Sequence, residues 1–294
     1  VVSKLTVIAR NGLSKTQGQW RRPKLATAAT QLLILNLMPT KQATEQQFLQ
    51  RLAMGPTDVA VTFMYPASHH FKGIDQATIA ANYVTLAQIQ AEHFDGLIVT
   101  GAPVEQLPFT AVDYWSELQT IITWAQTHVS QTLFECWAAQ AGLYLQFGID
   151  KQLVAHKIFG VYTATTVDRA SPLMAGLTQP ASLKMPQSRQ SQLVLPAKLP
   201  AELQLVATNA QVGPLVLAAP AQHAVYVTGH PEYAAETLAL EYRRDRQQHR
   251  PIQQPQHYFS DSHGTIDYSW QQASCQFYQN WVATLKLMKA GLEK

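Results

Sequence analysis

The chain has two thiols, Cys136 and Cys275, and the first stands where a thiol can do chemistry. In the run TLFECWAAQAG a strand-like apolar segment gives way to a helix-like one at Cys136. A turn of that kind projects one side chain from the carboxyl edge of a sheet, where open α/β folds bind ligands. It also sets the sulfur beside a helix N-terminus, whose unpaired N–H groups and dipole favour a thiolate. A buried cysteine packed as a small hydrophobe is the plainer alternative. His230 and Glu232 weigh against it. They follow a second strand-like run, VYVTG, and Pro231 between them stiffens the pair. A parallel sheet gathers its strand ends on one edge, so residues 94 apart can meet there. The imidazole would take the thiol proton and exchange it with the second substrate, while Glu232 would fix the ring's tautomer and stabilise its charged form. Alone, the His-Pro-Glu segment reads as a solvated loop; placed at a matching strand end, it points to covalent catalysis through a thiolate.

The elements that must position these groups are legible as a β-α alternation. Strands are predicted at Leu32 to Leu37, Asp58 to Met64, Gly96 to Thr100, Thr132 to Glu135 and Ala224 to Thr228, each a short apolar run of the kind buried on both faces. Helices are predicted from Thr44 to Met54, Asp113 to His128, Trp137 to Phe147 and Ala234 to Arg246, with Gly55 and Gly148 as C-terminal stops. Shorter β-like runs, Gly160 to Val167, Leu203 to Ala207 and Leu215 to Ala218, intervene, and a last helix covers Ser274 to Met288. The Pro/Gln/His-rich piece Gln247 to His263 reads as a loop. The fold class expected is α/β, a doubly wound, mostly parallel sheet with flanking helices. Residues 1–30 are expected to form an irregular arm and 31–294 a single α/β domain.

Composition narrows the classes of function. The 294 residues are 47% hydrophobic and 14% charged with a net charge of +3, which suits a soluble globular protein. Arg21-Arg22 and Arg243-Arg244 are too short to mark a nucleic-acid surface and suit a solvated face or a ligand clamp. Two cysteines exclude a disulfide framework and a Cys-rich zinc site. His69-His70 and His249 lack partners at ligand spacing, so no metal is expected. No run of about 18 apolar residues occurs, and Val1 to Arg22 lacks the apolar core of a signal peptide. The expected setting is a reducing cytoplasm, where a cysteine stays free.

Five segments in order then carry a family resemblance: NLMPTKQATEQQFLQRL (36–52), FDGLIVTGAPVE (94–105), TLFECWAAQAGL (132–143), KIFGVY (157–162) and TGHPEYAAETLALEYRRD (228–245). Over roughly Arg22 to Leu285 the chain resembles the homoserine O-succinyltransferase/O-acetyltransferase family. The resemblance implies a class I glutamine amidotransferase-like fold and a ping-pong reaction through an acyl-cysteine. It implies Cys136 as acyl carrier, His230 as base and Glu232 as the base's partner. Lys157 matches the family's pocket lysine, and Arg244 the arginine that clamps the amino acid carboxylate, a bidentate task for a guanidinium. Ser188 matches the serine near the acyl acceptor. Trp137, following the nucleophile, would give the first oxyanion-hole N–H; the loop at Gly101-Ala102 would give the second, by analogy. No cofactor is implied, acetyl-CoA being a diffusible substrate, and the family's habit points to a homodimer.

Two positions speak to specificity. The family's Pro-His-Ser-Arg-Tyr is here Pro186-Gln187-Ser188-Arg189-Gln190, so a His and a Tyr have become glutamines. In a segment expected to shape the acceptor pocket, this tips the acceptor slightly towards L-serine and cysteine biosynthesis, with L-homoserine and methionine biosynthesis as the alternative. At Glu105 the family carries Gly in succinyl-transferring members and Glu in acetyl-transferring ones. A carboxylate lining the acyl pocket fills space and repels the distal carboxylate of a succinyl group, which points to acetyl-CoA. A glutaminase or hydrolase on the same three residues stays open because fold does not dictate function. Lys157, Ser188 and Arg244 argue against it. A non-catalytic binding protein would have no use for all three reactive residues.

Overall fold

Apolar runs too short for helices and flanked by turn residues form strands buried on both faces. The computed structural model describes residues 7–14, 29–71, 73–177, 179 and 182–292; Arg21-Arg22 and most of the expected arm lie outside the described residues. The strands are β1 (Val7–Ala9), β2 (Thr30–Leu35), β3 (Val59–Met64), β4 (Phe94–Val99), β5 (Val129–Glu135), β6 (Lys151–Thr163), β7 (Thr166–Val167), β8 (Lys184–Leu193), β9 (Gln204–Asn209), β10 (Gly213–Ala219) and β11 (Ala224–Val227). Nine of them make one sheet in the order β1-β3-β2-β4-β5-β11-β10-β9-β7. The first six in that order are parallel and the last three antiparallel. Strands β6 and β8 stand apart as an antiparallel ribbon, with Phe159 opposite Ser188 and Gly160 opposite Gln187.

The helices are α1 (Lys41–Leu52), α2 (Gln76–Asn82), α3 (Leu86–Ile89), α4 (Trp115–His128), α5 (Trp137–Phe147), α6 (Thr237–Gln247) and α7 (Gln271–Leu292). On one face of the sheet Phe48 and Leu49 of α1 and Trp281 and Leu285 of α7 pack with Leu32, Ile34 and Val61. On the other face Leu118 and Ile121 of α4 and Leu143 of α5 pack with Leu33, Leu97 and Val99. Truncating any such buried leucine to alanine costs about 2–5 kcal/mol. No helix among the described residues is long and apolar enough to cross a membrane.

Two departures from the sequence reading bear on the site. Val7–Ala9, inside the expected irregular arm, add a parallel edge strand to β3, with Val7 and Ala9 buried. Three residues are too few to show a period. The stretch Lys184–Leu193, not predicted as a strand, forms β8 against β6. Its sequence KMPQSRQSQL carries a proline and then six consecutive polar residues, Gln187 to Gln192, so its strand character comes from pairing rather than from its own pattern.

Candidate active site

Strand β5 ends at Glu135 and helix α5 begins at Trp137, so Cys136 alone makes the turn between them. It adopts φ 51°, ψ −116°, a conformation that L-residues rarely hold and that costs about 1–3 kcal/mol. The surroundings enforce it. The Cys136 N–H donates to the Val227 carbonyl at 2.7 Å, and the Cys136 carbonyl accepts from Gln140 N–H at 3.3 Å. The side chain is thereby fixed at the head of α5, only 7% exposed. Cys136 and Cys275 are both free thiols.

His230 and Glu232 follow the end of β11, the strand parallel to β5. His230 Nδ1 lies 2.8 Å from Glu232 Oε1, and both side chains are buried. On its other side the imidazole lies near enough to Cys136 for the thiol to act on its pKa. Burial pulls the His230 pKa down, but the Cys136 thiolate and the Glu232 carboxylate outweigh it and hold the ring well above the ordinary histidine range. A raised imidazole pKa beside the thiol favours passage of the thiol proton to His230, as nucleophile activation requires. The ring of Tyr233 stacks on His230 with centroids 4.1 Å apart and planes 12° from parallel.

Close backbone approaches make this arrangement possible. A Cβ on Gly101 would sit 2.9 Å from His230 Cε1 and 3.1 Å from Cys136 Cβ, so the loop after β4 reaches the reacting groups only as glycine. A Cβ on Gly229 would fall 2.4 Å from the Pro186 carbonyl, which accepts from His230 N–H at 2.9 Å. Arg51 of α1 ties the same loop down from beneath. Its Nε donates to the Pro231 carbonyl at 3.3 Å and its Nη2 to the Tyr233 carbonyl at 2.7 Å; Nη2 also contacts the Tyr268 hydroxyl, and Nη1 lies 3.8 Å from Cys275 Sγ.

Cys136 and His230 open on a cavity of ≈ 380 Å³. Of the residues singled out in the sequence, Glu105, Lys157, Ser188 and Arg244 all line it, as does Ala102. Lys157 lies on β6, Ser188 opposite it on β8 and Arg244 on α6. A residue the sequence reading missed, Glu241, holds them together. Its carboxylate is 2.5 Å from Lys157 Nζ and accepts from Ser188 Oγ at 2.9 Å on each oxygen. Arg244 Nη2 lies 3.6 Å from it, the two residues being three apart on one helix face. That spacing was the available signal. Arg244 is half exposed and meets Asp245 Oδ1 through Nε at 2.8 Å and Nη2 at 2.7 Å. A guanidinium and a carboxylate side by side match the two charges of an amino acid zwitterion. Trp137 is the first residue of α5, where its N–H has no acceptor within the helix and is available to an oxyanion.

The basis for an L-serine acceptor does not survive this geometry. Gln187 is fully buried and its Oε1 accepts from Arg189 Nε at 3.0 Å. Gln190 donates to the Val154 carbonyl at 2.7 Å. Neither lines the cavity. Side chains alternate across a strand, so Ser188 faces the cavity while its neighbour Gln187 faces away. Among the described residues no group of three or more His, Cys, Asp or Glu is placed to hold a metal ion. His69 instead meets Asp113 at 2.9 Å.

Comparison with known proteins identifies the family. The family model described as homoserine O-succinyltransferase matches residues 9–288. The chain is 40% identical to a homoserine O-acetyltransferase of Streptococcus mutans over 254 residues, 85% of this chain and 80% of that protein. It is 42% identical to one of a Synechococcus species over 257 residues, 86% of this chain and 85% of that protein. A solved glutamine amidotransferase from Thermotoga maritima, 10% identical, superposes with a TM-score of 0.56 over 88% of this chain and 99% of its own, and shares the fold.

Proposed function

The chain belongs to the homoserine O-succinyltransferase family, and from that premise we propose that it moves an acetyl group from acetyl-CoA to the hydroxyl of L-homoserine through a thioester on Cys136. The observation that carries the reading is a single cavity onto which the thiol, its imidazole, a zwitterion-matching Glu241–Arg244 pair and Glu105 all open. In the first half-reaction the Cys136 thiolate attacks the acetyl carbonyl, and the coenzyme A thiolate leaves with the proton of the His230 imidazolium. The N–H of Trp137 stabilises the oxyanion between. In the second, the homoserine hydroxyl gives its proton to His230 as its oxygen attacks the acetyl-cysteine, and Cys136 leaves as thiolate. Glu232 keeps the ring in one tautomer through both steps. Arg244 grips the α-carboxylate after exchanging Asp245 for it, and Glu241 with Ser188 takes the α-ammonium.

Glu105 supports acetyl over succinyl. A succinyl tail would bring a second carboxylate towards the Glu105 carboxylate, and like charges repel strongly in a partly desolvated cavity. The relatives quoted above are named for acetyl transfer to homoserine, which supports the same donor and acceptor and a role in methionine biosynthesis. The test is direct. Acetyl-CoA or succinyl-CoA is supplied with L-homoserine or L-serine, and coenzyme A release is followed. The reading expects turnover with acetyl-CoA and homoserine to exceed every other pairing. Faster turnover with serine, or with succinyl-CoA, overturns it.

A further inference from the structure

Behind the His230–Glu232 pair lies a second carboxyl group that the reaction above does not use. Glu135, the last residue of β5, is fully buried, with 0% of its surface exposed, and Glu232 is 1% exposed. Its Oε1 accepts from the Tyr278 hydroxyl of α7 at 2.5 Å. Its Oε2 is buried and meets no donor; the same holds for Oε2 of Glu232, whose Oε1 is engaged by His230. Glu232 is nonetheless near enough for both its charge and its side chain to act on the Glu135 carboxyl. Two carboxylates cannot bond without a proton between them, and two ionised ones in contact without water would repel. Among the described residues no cation pairs with Glu135. Arg51, the nearby cation on α1, is engaged by the Pro231 and Tyr233 carbonyls and the Tyr268 hydroxyl.

We propose that Glu135 carries a proton on Oε2 and donates it to Oε2 of Glu232, so that the two carboxyls form one unit whose free oxygen is aimed at His230. One proton satisfies both unpartnered oxygens. Tyr278 fixes which oxygen of Glu135 is the acceptor and therefore which bears the hydrogen. Glu232 is held at both ends and cannot rotate away from the imidazole as His230 gains and loses its proton. Glu135 is a positioning residue, acting through Glu232 from the opposite side of the imidazole to Cys136. The direction of its titration agrees: burial, then the charge of Glu232, push its carboxyl well above the ordinary glutamate range, against the opposing pull of Tyr278 and His230.

This inference rests on the acyl-transfer reading for its kinetic consequence only, and its test has arms that need no substrate. The infrared difference between wild type and Glu135→Gln at neutral pH should show the C=O stretch of a protonated carboxylic acid in the wild type alone. Stability gives a second arm. A carboxyl that keeps its proton in the folded chain makes stability fall as pH rises, from about 4.3, where the unfolded group ionises, to its higher folded value. Glu135→Gln should lose that component of the slope. In kinetics, Glu135→Gln should keep kcat within about threefold, because its amide still donates to Glu232 and accepts from Tyr278. Glu135→Leu should lower kcat about tenfold or more with little change in either KM, by analogy with the loss of outer partners that orient metal-bound histidines. Absence of the infrared band, an unchanged pH slope, or a Gln variant as damaged as the Leu variant overturns the proposal. If the Leu variant does not fold, the Gln variant and the spectrum still decide. If no acyl transfer is found at all, the band and the slope stand as measured.

Discussion

The two sides of the cavity are built on opposite plans. The reacting side, Cys136 with His230 and Glu232, sits on neighbouring parallel strands, is nearly dry and is held by backbone contacts that tolerate no side chain at Gly101 or Gly229. The recognition side, Lys157, Ser188, Glu241 and Arg244, comes from the separate β6–β8 ribbon and from α6, and Arg244 is half exposed. Its charges pair with each other and, in the proposed reaction, would exchange partners when a zwitterion arrives. In that proposal the chemistry is pre-organised, while binding is assembled from groups that already have something to hold. Changes on the first side should appear in kcat, and changes on the second mainly in KM.

The sharpest way to break this contrast is at Cys136. Cys136→Ala should lower turnover at least about 10⁴-fold, the scale of losing a nucleophile. Mass spectrometry of the wild type with acetyl-CoA alone should find an acetyl group on Cys136 and none on Cys275. His230→Ala should be nearly as severe, with Glu232→Gln keeping a residual rate from an unoriented ring. The wild-type pH–rate profile should be bell-shaped. Activity appears as the thiol–imidazole pair loses its first proton and falls as the imidazolium deprotonates, above the ordinary histidine range because its pKa is raised. An alkaline limb at about 6.5 would contradict the ion pair.

On the recognition side, Arg244→Ala should raise KM for homoserine about 10–100-fold, some 1.4–2.7 kcal/mol, and change KM for acetyl-CoA little. Equal damage to both constants would mean that Arg244 serves the fold of α6 instead. Glu105→Gly should admit succinyl-CoA, and kcat/KM for the two donors in wild type and variant would show a shift of about tenfold or more. If the ratio does not move, Glu105 does not face the acyl tail. The smallest effect is expected at Gln187 and Gln190. Restoring His and Tyr there should leave the homoserine-to-serine ratio within about threefold of wild type, since neither side chain reaches the cavity. A larger change would show that the ribbon passes its packing on to the pocket.

The reacting side was the readable one, and the reason is physical. Continuous apolar runs announce buried strands, and a strand that ends on cysteine or histidine delivers that side chain to the sheet edge whatever the rest of the chain does. Cys136, His230 and Glu232 could be placed from this logic. The ribbon was hidden because β8 follows Pro186 with six consecutive polar residues and becomes a strand only by pairing with β6. Without β8 there was no reason to set Ser188 opposite Phe159, or to see that Gln187 turns inward. Glu241 looked like one more charge on a polar helix, and Glu135 like a strand's charged end. Their partners come from distant segments: Glu241 bonds Ser188 on β8, and Glu135 bonds Tyr278 on α7.

The Arg51 anchor has a consequence for how the chain becomes active. Its four contacts span 180 to 224 positions of sequence, joining α1 to the His230 loop, to Tyr268 and to the first turns of α7. Contacts of such separation form late, because the intervening chain must be ordered before they can close. The parallel strands and the turn at Cys136 rely on nearer partners and can assemble earlier. During refolding, secondary structure should therefore be regained before acyl transfer is. The interval between the two measures how long α7 takes to dock.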